Sequence, residues 1–167
     1  MPSARLRTEI LAARTRRHAI LQRYLPAKEF SLLQLSLNLP GAQKRLNGIF
    51  ELYRWAEQQL SEQLPELFKI FSETDTLGPW GLFSTPLTAT EAKMLTTAIE
   101  KSRDFARLLD IDVYSSAGQS CDRRQLGLEE RTCLICAAPA QECMRLQQHS
   151  FSQLKERLEE LLKPFSA

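Results

Sequence analysis

The chain has 167 residues, of which 43% are hydrophobic and 25% charged, and its formal net charge is +2. These values predict one globular domain over residues 1–167 and exclude a wholly disordered chain. The small net charge argues against a nucleic-acid partner, and no uncharged segment reaches the ~20 residues that span a membrane. Arginines along residues 5–23 leave no uncharged signal-peptide core, so we expect a cytoplasmic protein with reduced cysteines.

Apolar residues at three- and four-residue spacing predict most of the helices. Two starts carry the sequence pattern of a capping box, Thr88 with Glu91 and Ser150 with Gln153. A proline in the first turn favours a further helix before the second of these boxes. The predicted helices cover 4–24, 48–64, 88–102, 139–149 and 151–165.

Period-two alternation predicts the strands. Leucines alternate with polar residues along 30–39, which indicates a half-buried strand, and a second strand over 106–115 places Asp110 and Asp112 on its polar face. Because helices and strands follow one another without a βαβ rhythm, we expect a compact α+β domain with a mixed or antiparallel sheet flanked by helices. Two shorter strands, on either side of a Gly78-Pro79 turn, are predicted over 67–71 and 81–84.

Asp110 and Asp112 are the strongest candidates for chemistry. On a strand, residues i and i+2 point to the same face, so the two carboxylates are expected about 6–7 Å apart. They repel each other unless a divalent cation lies between them, and such hard oxygen ligands suit Mg²⁺ bound to phosphate oxygens. The alternative is a solvated strand face with two ordinary acidic residues.

Several arginines and one turn are candidate phosphate-binding groups. Arginine is the preferred two-pronged donor to phosphate oxygens, although the same side chains also form plain ion-paired surfaces. The turn Asn38-Leu-Pro-Gly41, with Lys44 after it, could present backbone N–H groups and a charge to an anion. The arginines nearest the two aspartates in sequence are Arg103, Arg107, Arg123, Arg124, Arg131 and Arg145.

Four residues have the types found in zinc sites: Cys133, Cys136, Cys143 and His149. In a helix over 139–149, Cys143 and His149 would lie about 9 Å apart along the axis and about 120° apart around it. We therefore expect buried thiols and no structural zinc. In the same helix Arg145 and His149 would share one face and could contact an anion together.

Several motifs follow one another along most of the chain. They are Asn38-Leu-Pro-Gly41 with Lys44, Arg107-Leu-x-Asp-x-Asp-Val113, Gly118 with Arg123 and Leu126-Gly127, Arg131-x-Cys-Leu-x-Cys136, and Ala140 with Cys143, Arg145 and His149-Ser150. Together these motifs resemble the holo-citrate lyase synthases, also called apo-citrate lyase phosphoribosyl-dephospho-CoA transferases, and the resemblance covers nearly the whole chain. It departs at Ala106, where glycine is common in the family. A nucleotidyltransferase-like fold is one expectation, although Gly41 lies far upstream of the aspartates for such a site.

The resemblance implies a nucleotidyl-type transfer. Its donor is the triphosphoribosyl-dephospho-CoA precursor, its acceptor is a serine of the citrate lyase acyl-carrier (gamma) subunit, and pyrophosphate leaves. In this reading Asp110 and Asp112 are the catalytic residues and hold Mg²⁺, and a third carboxylate comes from Glu73, Asp75 or Asp122. The predicted substrate-binding residues are Arg107, Arg123, Arg131, Arg145, His149, Asn38, Gly41 and Lys44.

Two other functions remain open from the sequence. A nucleic-acid-binding module would use the N-terminal arginines and a zinc knuckle, but it leaves the aspartate pair unexplained. A non-catalytic assembly factor of an acyl-carrier complex would bind the carrier without modifying it.

Overall fold

The computed structural model describes residues 4–41 and 46–166, so Lys44 lies outside the described residues. Within these ranges five α-helices and five strands form the domain. The helices are α1 (Ala4–Tyr24), α2 (Ile49–Gln63), α3 (Ala89–Lys101), α4 (Ala140–Leu146) and α5 (Phe151–Leu162). The strands are β1 (Ser31–Leu37), β2 (Phe68–Asp75), β3 (Gly78–Thr85), β4 (Leu109–Tyr114) and β5 (Ser120–Cys121). Two short 3₁₀ turns cover Phe105–Leu108 and Lys163–Phe165.

Both predicted capping boxes are present. The Thr88 hydroxyl accepts a hydrogen bond from Glu91 N at 3.3 Å, and the Ser150 hydroxyl accepts one from Gln153 N at 3.2 Å. In each box the third residue of the helix also accepts a bond from the backbone of the capping residue. These bonds pair N–H groups that a helix start leaves free, and so they fix the starts of α3 and α5.

The five strands form one sheet in the order β2-β3-β1-β4-β5, and every neighbouring pair is antiparallel. This arrangement confirms the predicted α+β class and narrows the sheet to the antiparallel alternative. The first strand of the chain lies at the centre, with Leu33 opposite Phe83 of β3 on one side and Val113 of β4 on the other.

Helices cover both faces of the sheet. The odd-numbered leucines of β1 pack with α2, α3 and α5 in the larger apolar cluster, which also contains Leu109, Ile111 and Val113. On the opposite face Leu32 packs with Trp80 and with Ile20 and Leu21 of α1. The prediction that β1 is half-buried is therefore wrong, because α1 covers part of the face that the alternation left to solvent.

The hairpin of β2 and β3 is longer than predicted. Its turn is Thr76-Leu77, which the Asp75 carboxylate closes by accepting a hydrogen bond from Leu77 N at 2.7 Å. The Gly78-Pro79 pair begins β3 instead of forming the turn. Gly81 lets the backbone of β2 approach β3 closely, because an added Cβ at this position would lie 2.8 Å from the Phe71 carbonyl oxygen.

Two further boundaries differ from the predictions. The predicted strand over 106–115 is a 3₁₀ turn at Phe105–Leu108 followed by β4, so Arg107 lies before the strand. The predicted helix over 139–149 ends at Leu146, because Gln147 adopts a left-handed conformation with φ of 48° and Gln148 N bonds back to the Cys143 carbonyl oxygen. Arg145 and His149 therefore do not share a helix face. In the described ranges no helix has both the length and the apolar character needed to cross a membrane.

Candidate functional site

Asp110 and Asp112, called the carboxylate pair below, lie on the same face of β4, as the alternation predicts. In the β1–β4 register Ser36 is opposite Asp110 and Gln34 is opposite Asp112. The carboxylate pair therefore belongs to a polar row on the sheet face opposite the larger apolar cluster. Sequence analysis did not include Ser36 and Gln34, because their partnership with β4 depends on long-range strand pairing.

The surroundings of Asp112 disfavour the charged form of its carboxylate. Burial, and then the negative charge of Asp110, raise its pKa to about 6, and Glu100 adds to the same effect. Lys93 and Arg131 oppose it. The Asp112 carboxylate makes no hydrogen bond to any other residue that the structure describes, whereas the Asp110 carboxylate is ion-paired with Arg131. A carboxylate that is partly buried, unpaired and next to another carboxylate is suited to a cation.

The outer edge of β4 is completed by two charged side chains of α3 that sequence analysis did not single out. Glu100 Oε1 accepts a hydrogen bond from Ile111 N at 2.8 Å, and Lys93 Nζ donates one to Ile111 O at 2.8 Å. Glu100 is 2% and Lys93 6% exposed. Since β5 pairs only with Val113 and Tyr114, these side chains satisfy backbone groups that a longer strand would otherwise bond.

Two of the predicted phosphate-binding arginines converge on Glu100. Arg131 Nη2 donates to Glu100 Oε1 at 2.8 Å and to Asp110 Oδ1 at 2.9 Å, while its Nη1 donates to Leu109 O at 2.9 Å. Arg123 Nη2 donates to Glu100 Oε2. The structure thus brings Arg131 to the carboxylate pair and connects Arg123 to Arg131 through the buried carboxylate of Glu100.

The other predicted substrate-binding residues lie farther from this network. Arg107 bonds to the Cys133 carbonyl oxygen at 2.6 Å and to Asp104 at 3.3 Å. Asn38 is exposed, and its N–H donates to Leu108 O at 2.7 Å, which places it beside the start of β4. Arg145 is exposed on α4 and has no ion pair within the described chain. Gly41, with φ of 87°, lies against Phe151.

None of the three candidates for the third carboxylate is brought to the pair by a contact among the described residues. Glu73 pairs with Arg16 at 2.9 Å and Asp75 with Arg17 at 2.7 Å, both between the β2–β3 hairpin and α1. Asp122 caps its own turn by accepting a hydrogen bond from Gln125 N. The third carboxylate near the pair is Glu100, which sequence analysis missed because an acidic residue inside an amphipathic helix gives no signal of burial.

His149 lies among the cysteines. Its Nε2 is 3.3 Å from Cys136 Sγ, and Cys136 Sγ is 3.4 Å from Cys143 Sγ. A helix continuous through residue 149 would keep Cys143 and His149 too far apart to bind one zinc ion. Because α4 ends at Leu146, this objection to a zinc site does not apply.

The chain was also compared with known proteins. The sequence profile of the family described as apo-citrate lyase phosphoribosyl-dephospho-CoA transferase matches residues 6–165. Proteins of that name from Escherichia coli O139:H28 (strain E24377A / ETEC) and Escherichia coli O8 (strain IAI1) are each 30% identical to this chain over 167 residues. The match covers 95% of this chain and 89% of each relative. A protein from Shigella boydii serotype 18 matches to the same extent.

A match over nearly the whole length places this chain in a family of transferases. The chain belongs to the apo-citrate lyase phosphoribosyl-dephospho-CoA transferase family.

Proposed function

We propose that this chain transfers a phosphoribosyl-dephospho-CoA group from its triphosphoribosyl precursor to a serine of the citrate lyase acyl-carrier (gamma) subunit. In this reaction the serine oxygen forms a new bond to the first phosphorus of the triphosphate. The bond from that phosphorus to the next bridging oxygen breaks, pyrophosphate leaves with the electron pair, and the serine hydroxyl loses its proton. Family membership supports the substrates, and the carboxylate pair with adjacent arginines supports the reaction type.

The carboxylate pair is the observation that carries the proposed chemistry. Two carboxylates on one strand face, with Asp112 unpaired among the described residues, form a hard oxygen donor set that fits Mg²⁺. Bound there, Mg²⁺ would neutralise charge on the phosphate oxygens and so favour the loss of pyrophosphate.

Arg131 and Arg123 are proposed to orient the phosphates. A guanidinium has five N–H donors, and Arg131 uses only its two terminal nitrogens for the contacts described above, so its Nε–H remains for a further acceptor. Because Glu100 holds both arginines, their side chains lose little conformational freedom when substrate binds. Arg145, exposed and unpaired within the described chain, is proposed to bind the outer part of the donor.

The test is a transfer assay read by mass. The protein is mixed with apo-carrier subunit, the triphosphoribosyl precursor and Mg²⁺, and the carrier is weighed by mass spectrometry. We expect a gain equal to the prosthetic group, and we expect Asp110→Asn and Asp112→Asn to slow it by about 100-fold or more, which is about 2.7 kcal/mol of transition-state stabilisation. Glu159→Gln removes one exposed carboxylate on α5 and serves as the control.

The same assay separates the alternatives. A carrier that binds but gains no mass would favour an assembly factor and contradict the transferase proposal. The nucleic-acid alternative depends on the N-terminal arginines, and Arg16 and Arg17 are both paired with acidic residues of the β2–β3 hairpin. Near-normal turnover of Asp112→Asn would contradict the metal role of the carboxylate pair.

A further inference from the structure

We propose that Cys133, Cys136, Cys143 and His149, called the thiol cluster below, bind one structural zinc ion. The ligand atoms of these four side chains all lie within 4.8 Å of one another. A tetrahedral zinc site with bonds of roughly 2.3 Å to sulfur and roughly 2.0 Å to nitrogen separates its ligand atoms by nearly 4 Å. Three sulfur atoms and one imidazole nitrogen fill such a site without a water ligand, which is the composition of a closed structural site.

The backbone brings the first two cysteines together. Thr132 and Pro139 form an antiparallel bridge, and Cys133 N bonds to Ala138 O at 2.8 Å, so residues 132–139 make a tight loop. Inside it, Ile135 N points at Cys133 Sγ, at 3.5 Å. Backbone N–H groups directed at a sulfur stabilise a thiolate, which is the form that binds a metal.

Of the other two ligands, Cys143 lies within α4 and His149 lies shortly after its end. Cys143 is buried, with 6% exposure, on the side of α4 that faces the loop. The left-handed Gln147 then reverses the chain and brings His149 to Cys136, 3.3 Å away. Ser150 begins α5 directly afterwards, so His149 lies between two fixed helix ends.

The helix α4 is short, and part of its apolar surface is exposed. The helix α4 has only seven residues, well below the ~12 at which an isolated helix becomes even marginally stable. Two of its apolar side chains, Met144 and Leu146, are 69% and 54% exposed. A metal ion bound by the loop, α4 and His149 would supply a cross-link between α4 and the loop that these exposed side chains do not.

Packing of the cysteines as small apolar residues explains the geometry less well. Apolar packing accounts for the burial of Cys133 and Cys143, but it gives no reason for an imidazole nitrogen to face the half-buried Cys136. The fourth cysteine, Cys121, lies on β5 and packs against the larger apolar cluster instead. It is therefore a matched control for a cysteine outside the cluster.

The first experiment measures metal in the full-length protein. We expect about one zinc ion per chain by elemental analysis after extensive dialysis. Titration with a mercurial reagent in the presence of a zinc-sensitive dye should release the zinc as three thiols react, while Cys121 reacts without releasing it. Protein reconstituted with Co²⁺ should show the strong visible absorption of a tetrahedral thiolate site. A folded, reduced protein that holds neither metal would overturn the proposal.

Variants give the second test. Cys136→Ser and Cys143→Ser should lose the bound zinc and melt at a lower temperature, whereas Cys121→Ser should keep its zinc. His149→Cys should keep the metal with four sulfur ligands, and His149→Ala should bind it more weakly. Zinc retained at the wild-type level in Cys136→Ser would contradict the site, as would a mass showing a Cys136–Cys143 disulfide in the native protein. The metal content of the wild-type chain decides the matter if a variant fails to fold.

Discussion

Arg131 joins the carboxylate pair to the loop of the thiol cluster. Its Nη2 lies 2.9 Å from Asp110 Oδ1 and 2.8 Å from Glu100 Oε1, while Cys133, two residues later, begins the cluster. The guanidinium of Arg131 thus contacts the polar row of β4 and the buried end of α3. The backbone of Arg131 leads directly into the loop over 132–139. We therefore expect a change in any of these three parts to alter the position of the Arg131 side chain.

We predict that Arg131→Lys lowers kcat/KM for transfer by roughly tenfold or more, or about 1.4 kcal/mol or more. An ammonium cannot replace a planar fork that bonds to two carboxylates and a carbonyl oxygen at once. The measurement is the steady-state rate at varied donor concentration. Arg124→Lys, which changes an exposed arginine in the nearby turn, is the control, and equal rates for the two variants would contradict a role for Arg131.

Asp112→Asn should raise the melting temperature at pH 7.5 in buffer without divalent cations. The folded-state pKa of about 6 exceeds the ordinary value of 3.8, so the folded protein holds this proton more tightly than the unfolded chain. The protonated carboxyl of Asp112 therefore contributes fully to the stability of the fold below about pH 4, and this contribution is lost as the pH rises through 6. Asparagine stays uncharged at every pH and so avoids that loss. In a domain of this size, each kcal/mol added to the free energy of unfolding raises the melting temperature by about 2–4 °C.

The control for this prediction is Glu159→Gln. It removes one exposed carboxylate of α5 that lies in a surface ion pair, so it should change the melting temperature little. Scans at pH 4 and pH 7.5 decide the outcome, since the gain from Asp112→Asn should shrink at the lower pH. A gain of the same size at both values would show that the charge of Asp112 is not its source.

Arg145→Ala should weaken binding of the donor more than binding of the carrier. The side chain is exposed on α4 and free of ion pairs within the described chain, so its loss should leave the fold intact. Arg145→Lys should restore part of the affinity, because it keeps the charge but not the fork. The dissociation constant and KM for the donor test this, with Arg124→Ala as control. Unchanged donor affinity would leave phosphate binding to Arg123 and Arg131.

Asp75→Asn should destabilise the fold by about 3–5 kcal/mol, the usual cost of removing one partner of a buried ion pair. Arg17 and Asp75 are 8% and 13% exposed, and the Arg17 guanidinium also lies 5.1 Å from the Trp80 ring centre. The neighbouring Glu73→Gln breaks a pair with an Arg16 that is 61% exposed, and it should cost under ~1 kcal/mol. Denaturant unfolding of both variants measures the difference, and equal losses would contradict the structural role of Asp75.

The periodic parts of the chain could be predicted from the sequence because their signals are local. Alternation found β1 and β4 and set Asp110 and Asp112 on one face, and the two capping boxes gave the starts of α3 and α5. The hairpin was placed wrongly because its real turn, Thr76-Leu77, contains neither glycine nor proline. The end of α4 was missed for a similar reason, since glutamine rarely adopts the left-handed conformation that stops this helix.

The partners within the candidate site could not be predicted, because they depend on contacts between distant segments. Glu100 and Lys93 look like ordinary polar positions of an amphipathic helix, and only the edge of β4 gives them a role. From the sequence, Glu73 and Asp75 are equally good candidate ligands. In the structure they are ion-paired with Arg16 and Arg17 of α1. The sequence contained the right charges, but strand order decided which of them meet.

The central position of β1 has a consequence for synthesis of the chain. Its two neighbours in the sheet, β3 and β4, are both translated after it, and β4 comes last. During synthesis both backbone edges of β1 therefore stay unpaired until β3 has been made, and one edge stays unpaired until β4 has been made. During this interval its open edges are available for pairing with another chain. Translation that stops before β4 would leave one of these edges permanently open, so truncated products should aggregate rather than fold.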